Sequence, residues 1–504
     1  MGKTAAQHGR PTAEGEANAQ PSKKRFAVGV GGAGSTVEAG ESRGEGSGPG
    51  SGVFPKQTRV WEIGMSLTTP ETIRSLQRKL YVKAKEEPSY RFYSLYDKIH
   101  RPDILAHAYR LAKAKGGAPG VDGETFEKIE ERGWENWLER LGEELRTRRY
   151  RPAAVRRVYI PKPGGGERPL GIPAVRDRVA QTAAMLVLTP IYEAEFPDEM
   201  YGYRPKRSAQ AAVAAVHQAL RDGYTDVVDA DLSKYFDTIP HTDLLKSGAR
   251  RISDGAVLHL IRLWLKTPIE ERDEAGRVRR IGGRDHTRGT PQGGVLSPLL
   301  ANIYMNRFLR AWKERGMDQR LRAKVVNYAD DFVILCQGTA AEALAVTGRW
   351  MGSLKLTLNE KKTCLRDARR ESFDFLGYTF GPTVHRPTGR TYLAAQPSRK
   401  AVARLRDRVR EILRPANMAP WEEVATQVNR VVRGWGNYFC YGSVARAYWR
   451  VEDFLLHRAR GFLVRRHKAP GRGVRRFPAD WVFGDGGLVH LSAARRAARL
   501  HAGT

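Results

Sequence analysis

Residues 324–336 read "KVVNYADDFVILC". Val325 and Val326 lead into Tyr328-Ala329-Asp330-Asp331, and a second apolar run, Phe332 to Leu335, follows. β-Branched and aromatic residues on both sides predict two strands joined by a tight turn. Two adjacent carboxylates repel, and burying either costs free energy unless it is paired. Two readings are open. Aspartate is common in turns, so the pair can be an acidic hairpin tip and nothing more. Alternatively, divalent cations offset the repulsion and the hairpin carries a metal site.

The metal reading needs a second acidic strand end. "DVVDADLSKYFDTIPH", residues 226–241, supplies one. Val227 and Val228 begin a buried strand, and Asp229 and Asp231 follow at a spacing of two, which points both side chains to one face. The plain alternative is that Asp231 caps the turn into "LSKYF". A third piece is "RGTPQGGVLSPLLANIY", residues 288–304. Gly289, Gly293 and Gly294 allow close backbone approach, a helix begins beyond them, and Gln292 is placed to contact a nucleotide or a template base. A Gly-Pro turn with a Ser297-Pro298 helix start explains the same residues without any ligand. Strand-Asp, Gly-rich turn opening a helix, then a hairpin bearing Asp-Asp is a more specific pattern than any piece alone.

The totals narrow the partner. The chain has 504 residues, with 86 Lys and Arg against 55 Asp and Glu, a formal net charge of +31. Such an excess points to a polyanion, with nucleic acid first and an anionic membrane surface second. No apolar run approaches a membrane span and no signal-peptide pattern opens the chain. Cys336, Cys364 and Cys440 are far apart, which argues against a disulfide framework or a cysteine zinc site and fits a reducing cytoplasm.

Residues 1–65 form a Gly-rich leader expected to be disordered, with 14 glycines in its first 64 positions and a second methionine, Met65, at its end. Helical patterns follow, with Ile73, Leu76, Leu80 and Val82 near one face of the first. A hairpin is expected over "AAVRRVYIPKPGGGERPLGIPAV", with Gly164 to Gly166 at its tip. From 381 onward the pattern is read as helical and basic, 24 Lys and Arg against 8 Asp and Glu. The expected class is therefore α+β with an all-α appendage. The boundaries are an N-terminal extension and fingers at 66–225, a palm at 226–380, a helical thumb at 381–465, and a short basic tail at 466–504.

Here the chain resembles the reverse transcriptases encoded by group II introns, also called maturases. "YADD", "DADLSKYFD" and "TPQGGVLSPLLANIY" are similar to the palm motifs of such polymerases. "RRVYIPKPGGGERPLGIPAVRDRVAQ" and "YGYRPKRSAQAAV" look like their fingers, "LKLTLNEKKT" and "FDFLGYTF" like the segments after the active hairpin. "VVRGWGNYFCYGS" looks like the maturase thumb signature and "AKGGAPGVDG" like the N-terminal extension. The resemblance implies a right-hand fingers–palm core with a helical thumb. It implies copying of RNA into DNA, by attack of a primer 3′-hydroxyl on the α-phosphate of a dNTP, with two Mg²⁺ ions. The implied ligands are Asp231, Asp330 and Asp331, with the Leu232 carbonyl. Phe236 is expected beneath the sugar, excluding a 2′-hydroxyl. Lys162 and Arg168 are expected on the triphosphate, and Lys362 as proton donor to pyrophosphate. Leu376 and Gly377 are expected against the primer, and Arg433, Arg446 and Arg450 against phosphates. Trp435, Tyr438 and Phe439 are read as helix packing. The implied partners are intron RNA, an RNA template/DNA primer duplex, dNTPs and target DNA. Paired Cys and His of a C-terminal nuclease are not found, so DNA cleavage is expected to come from elsewhere.

Overall fold

The computed structural model describes residues 67–161, 166–273, 277–283, 285–385 and 387–493. The leader and Lys162 lie outside these residues. Helices α1 (Glu71–Glu86), α2 (Tyr96–Ile99), α3 (Pro102–Lys115), α4 (Phe126–Glu131) and α5 (Trp134–Arg146) precede the hairpin of β1 (Val155–Pro161) and β2 (Glu167–Ile172). Then come α6 (Val175–Glu193), α7 (Ala209–Arg221), β3 (Asp226–Asp231), α8 (Tyr235–Thr238), α9 (His241–Ala249) and α10 (Gly255–Leu265). Strands β4 (Ile269–Arg272) and β5 (Val278–Ile281) lead to α11 (Ser297–Glu314), α12 (Met317–Arg320), β6 (Ala323–Tyr328), β7 (Asp331–Cys336), α13 (Ala340–Ser353) and β8 (Cys364–Asp367). The chain continues through β9 (Phe373–Phe375), β10 (Tyr378–Val384) and β11 (Thr391–Pro397) into α14 (Arg399–Ile412), α15 (Trp421–Tyr438), α16 (Ala445–Arg466) and α17 (Ala479–Phe483).

The N-terminal half is organised around α6, which buries 15 of its 19 residues, the polar Asp177, Arg178, Gln181 and Thr182 among them. The buried face of α1 runs Ile73, Gln77, Leu80 and Ala84, and Val82 points outward. That face is rotated from the one expected, because Gln77 is accommodated inside: its Nε2 donates to the Leu186 carbonyl of α6 at 2.9 Å.

Strands β6-β7-β3-β8 form one antiparallel sheet. Its centre is covered on both faces, which is why Phe332 to Cys336 can be continuously apolar. Val228, Ala230, Phe332 and Ile334 enter the largest core, whose members run from Ile73 to Leu356. Val227, Val333 and Leu335 enter a separate core with α7, Phe373, Tyr378 and Phe380. A third core holds the thumb helices together.

Three expected boundaries are corrected. Strands β4 and β5, placed in the palm, extend the fingers sheet instead, in the order β2-β1-β4-β5, through a parallel pairing of Val155 with Ile269. The strands near 380 continue to Pro397, so the helical thumb starts at α14 rather than 381. The segment after 465 is not only a basic tail. Phe477, Val482, Leu488 and Leu491 are buried in the thumb core, and Glu452 holds its end through the Ser492 backbone N–H at 2.7 Å. Burial of these four apolar side chains outweighs the solvation of the basic residues between them.

Candidate active site

The hairpin at 324–336 closes through a two-residue turn, Ala329-Asp330, between paired Tyr328 and Asp331. Ala329 takes φ +60°, a left-handed conformation that costs a non-glycine residue about 1 kcal/mol. The surroundings over-determine it. Asn327 Nδ2 donates to the Ala329 carbonyl at 3.0 Å. The Tyr201 N–H donates to the Asn327 carbonyl at 2.8 Å, and the Asn327 N–H to the Glu199 carbonyl at 2.8 Å. Asn302, from α11, donates to the Gly202 carbonyl at 2.8 Å, which pins that segment against the turn.

The β3–β7 ladder places Asp231 directly opposite Asp331. Side chains of opposed residues stand on one face with Cβ atoms about 4.5–5.5 Å apart. Strand alternation adds Asp229 to that face, because it shares the side of Val227. Burial and the negative charges of Asp330 and Asp231 push Asp331 up to about 6, although its side chain still reaches solvent. Burial raises Asp330 as well, with Asp231 adding to the rise and Arg168 and Lys362 opposing it. Burial also lifts Asp229 to about 6, against the pull of Arg366. Asp231 has found counter-charge within the protein: Lys362 Nζ donates to its Oδ2 at 3.0 Å and Asn359 Nδ2 at 3.1 Å.

The donor chemistry suits a hard divalent cation, since oxygen ligands are what such an ion takes and burial together with mutual repulsion disfavours the charged forms of Asp330 and Asp331 unless counter-charge is supplied. Among the described residues, no three His, Cys, Asp or Glu side chains are drawn together tightly enough to hold a metal ion. Like charges repel, and Lys362 and Asn359 hold the Asp231 carboxylate. Leu232 lies beside the acids, buried and bridged to Leu358, while the Asp231 carbonyl accepts from the Asn359 N–H at 2.8 Å.

Next to the acids, Lys234 at φ +48° turns the chain into α8, which carries Phe236. That ring is buried edge-on against Tyr203 (centroids 6.3 Å apart) and Tyr235 (5.7 Å). Arg168, on β2, donates through Nε to Gln292 Oε1 at 3.1 Å. Gln292 is tied to the same strand by its carbonyl, which accepts from the Gly171 N–H at 2.6 Å. A Cβ at Gly293 would overlap the Gly171 carbonyl oxygen, so the glycine permits this docking.

Leu376 and Gly377 form the β9–β10 turn and lie against the thumb: Tyr438 Oη donates to the Leu376 carbonyl at 2.9 Å, and Phe439 abuts Gly377. Trp435, Tyr438 and Phe439 pack on one another at centroid separations of 4.8 to 4.9 Å, between the thumb core and the β9–β11 sheet. Arg433 is exposed on α15. Arg446 and Arg450 are exposed on α16 and line a cavity of about 700 Å³ with Arg399, Lys400, Arg406 and Arg410. Four of these cations were not singled out from sequence, although the basic run of α14 carries them. Tyr203, Asn359 and Asp237 were also passed over; each sits within a quoted motif and is distinguished only by its three-dimensional partner.

The reverse transcriptase (RNA-dependent DNA polymerase) family matches residues 160–380, and the group II intron, maturase-specific domain matches residues 402–477. Protein YkfC of Escherichia coli (strain K12) is 39% identical over 343 residues, covering 61% of this chain and 87% of that protein. The chain belongs to the group II intron reverse transcriptase/maturase family. Family relatives include the group II intron-encoded protein LtrA of Lactococcus lactis subsp. cremoris, 34% identical over 218 residues. The match covers 43% of this chain and 34% of LtrA. The putative COX1/OXI3 intron 1 protein of Saccharomyces cerevisiae is 28% identical over 363 residues, covering 62% of this chain and 42% of its own length. The chain thus spans less than half of these two longer relatives. Reverse transcriptases and maturases bind RNA, in keeping with the +31 charge. Among the described residues, no helix is long and apolar enough to cross a membrane.

Proposed function

We propose that this chain is the RNA-directed DNA polymerase of a group II intron, copying intron RNA into DNA for retrohoming and binding that RNA to assist its splicing. The observation that carries the reading is the Asp231–Asp331 opposition, with Asp330 in the adjoining two-residue turn. Asp231, Asp330, Asp331 and the Leu232 carbonyl would hold two magnesium ions. Bound there, the ions would supply Lewis-acid stabilisation of the attacking and leaving oxygens of an in-line displacement.

The protein's own groups do the positioning. Arg168 holds fixed positive charge beside the acids, where the triphosphate of an incoming dNTP would develop negative charge. Gln292 orients that guanidinium. Phe236, two residues beyond the Lys234 turn, would lie beneath the nucleotide sugar and exclude a 2′-hydroxyl, the role the family resemblance implies. Lys362, whose Nζ donates to Asp231 Oδ2 at 3.0 Å, would serve as the proton donor to the departing pyrophosphate. Leu376 and Gly377 support the primer from the base of the thumb. Arg446, Arg450 and their neighbours around the 700 Å³ cavity, with Arg433, contact RNA or duplex phosphates. Target DNA would supply the 3′ end from which the copy is primed.

The test is primer extension on poly(rA)/oligo(dT) with dTTP and Mg²⁺. The wild-type chain is expected to incorporate dTMP and Asp330→Ala to fall to background. Equal incorporation by both defeats the reading.

A further inference from the structure

We propose that Asp237 is a positioning residue for the incoming nucleotide, setting the orientation of the Gln292 side-chain amide so that its oxygen is presented to Arg168. The inference rests on the polymerase reading above and goes one step further out from the nucleotide. Gln292 Nε2 lies 3.3 Å from Oδ1 and 3.2 Å from Oδ2 of Asp237. Its Oε1 accepts from Arg168 Nε at 3.1 Å. A side-chain amide has one donor end and one acceptor end, a carboxylate only accepts, and a guanidinium only donates. Asp237 can therefore engage only the NH₂ end, which leaves the oxygen for Arg168. Without that carboxylate Arg168 alone selects the orientation of the amide, and the flipped orientation, which sets a donor against a donor, loses one of the two contacts that disfavour it.

The backbone holds the three groups in register. The Thr290 N–H donates to the Phe236 carbonyl at 2.7 Å, and the Gly289 N–H to the Ile239 carbonyl at 2.8 Å, so the loop carrying Gln292 is stapled to the segment carrying Asp237. At the other end, the Gly171 N–H fixes the Gln292 carbonyl three residues from Arg168 on β2. The relay thereby spans palm, loop and fingers, and each bond fixes one end of the next. Asp237 is exposed and, with Gln292, borders a cavity of about 240 Å³, so conservative substitutions there need no repacking of a core.

The test reads nucleotide binding separately from chemistry. The wild-type chain on a dideoxy-terminated primer and RNA template is titrated with dTTP, and the dead-end ternary complex is measured by its resistance to competitor duplex. Steady-state KM and kcat for dTTP are measured alongside on an extendable primer. Asp237→Asn is expected to raise the half-saturating dTTP concentration about tenfold, a loss the size of one charge-assisted hydrogen bond, with kcat changed less than KM. Asp237→Glu, which keeps an acceptor-only group, is expected to recover most of the affinity. Because Asp237 acts through Gln292, Asp237→Asn is expected to add almost nothing in a Gln292→Leu background. Additive effects in that double-mutant cycle, an unchanged half-saturation for Asp237→Asn, or equal damage from Asp237→Asn and Asp237→Glu would each overturn the proposal. A wild-type chain that forms the ternary complex but does not extend primer would instead refute the polymerase reading and leave the relay to be judged by the binding arm alone.

Discussion

Gly202 is the point at which a single methyl group should separate folding from catalysis. It lies against the turn that carries Asp330. A Cβ built at Gly202 would stand 2.5 Å from the Ala329 nitrogen, 3.1 Å from the Tyr328 carbonyl carbon and 3.3 Å from the Ala329 Cα. Ordinary van der Waals contact begins near 3.4 Å, so one side must move by close to an ångström. Gly202 cannot yield easily, because its carbonyl is held by Asn302 and its neighbour Tyr201 by Asn327. The turn must therefore shift, and it already holds Ala329 at positive φ. Overpacking of this kind costs about 1–3 kcal/mol of stability, which leaves a 504-residue chain folded. A displacement of about 1 Å at reacting groups costs on the order of 100-fold in rate. The expected outcome for Gly202→Ala is a native far-ultraviolet spectrum, a melting point a few degrees lower, and kcat for primer extension reduced about 100-fold. Gly348→Ala is the control. Gly348 is helical with nothing within 4 Å of its would-be Cβ, and alanine there gains up to about 1 kcal/mol of helix stability and leaves kcat intact. Wild-type kcat in Gly202→Ala would show that the turn moves without consequence, and the placement of Asp330 in the reaction would have to be abandoned.

Two further outcomes follow from burial and charge. Asp177 is 1% exposed; burial lifts it to about 6, against hydrogen bonds from Tyr150 Oη and the Ala153 N–H. A carboxyl with a folded value above its unfolded one contributes most stability when protonated in both states, and that contribution is lost as pH rises through 6. Urea denaturation should therefore show this group's share, about 3 kcal/mol from a rise of some two pH units, declining from pH 4 to pH 7, and a pH dependence unaltered in Asp177→Asn would contradict it. Leu491 is 4% exposed in the thumb core and touches Gly436. Leu491→Ala should cost about 2–5 kcal/mol and lower the thermal stability of the thumb, whereas a free tail would show no change on calorimetry.

The site was legible in sequence where its signal was local. "YADD" and "DADLSKYF" each combine strand periodicity with acids at fixed spacing, so the strands, the turn and the facing of Asp229 and Asp231 follow from a few residues. What escaped lay in pairings between distant residues. β4 and β5 are four residues each and mostly polar, and nothing in "IEER" or "VRRI" announces that Ile269 will pair with Val155 more than a hundred positions earlier. The thumb boundary slipped because composition averages over everything from 381 to 504, 24 Lys and Arg against 8 Asp and Glu, whereas the sheet ends where Pro397 closes against Tyr378. The tail misled for a related reason. Nine basic residues between 465 and 499 dominate its composition, yet Phe477, Val482, Leu488 and Leu491 among them are buried. Charge describes what a segment shows to solvent and apolar spacing what it hides, so a strongly basic stretch is compatible with a packed one. The link from Asp237 to Gln292 is the extreme case. The two lie 55 residues apart, neither has an unusual neighbour in sequence, and only the stapling of the 288–290 loop to the segment after β3 brings the exposed aspartate within hydrogen-bond distance of that amide.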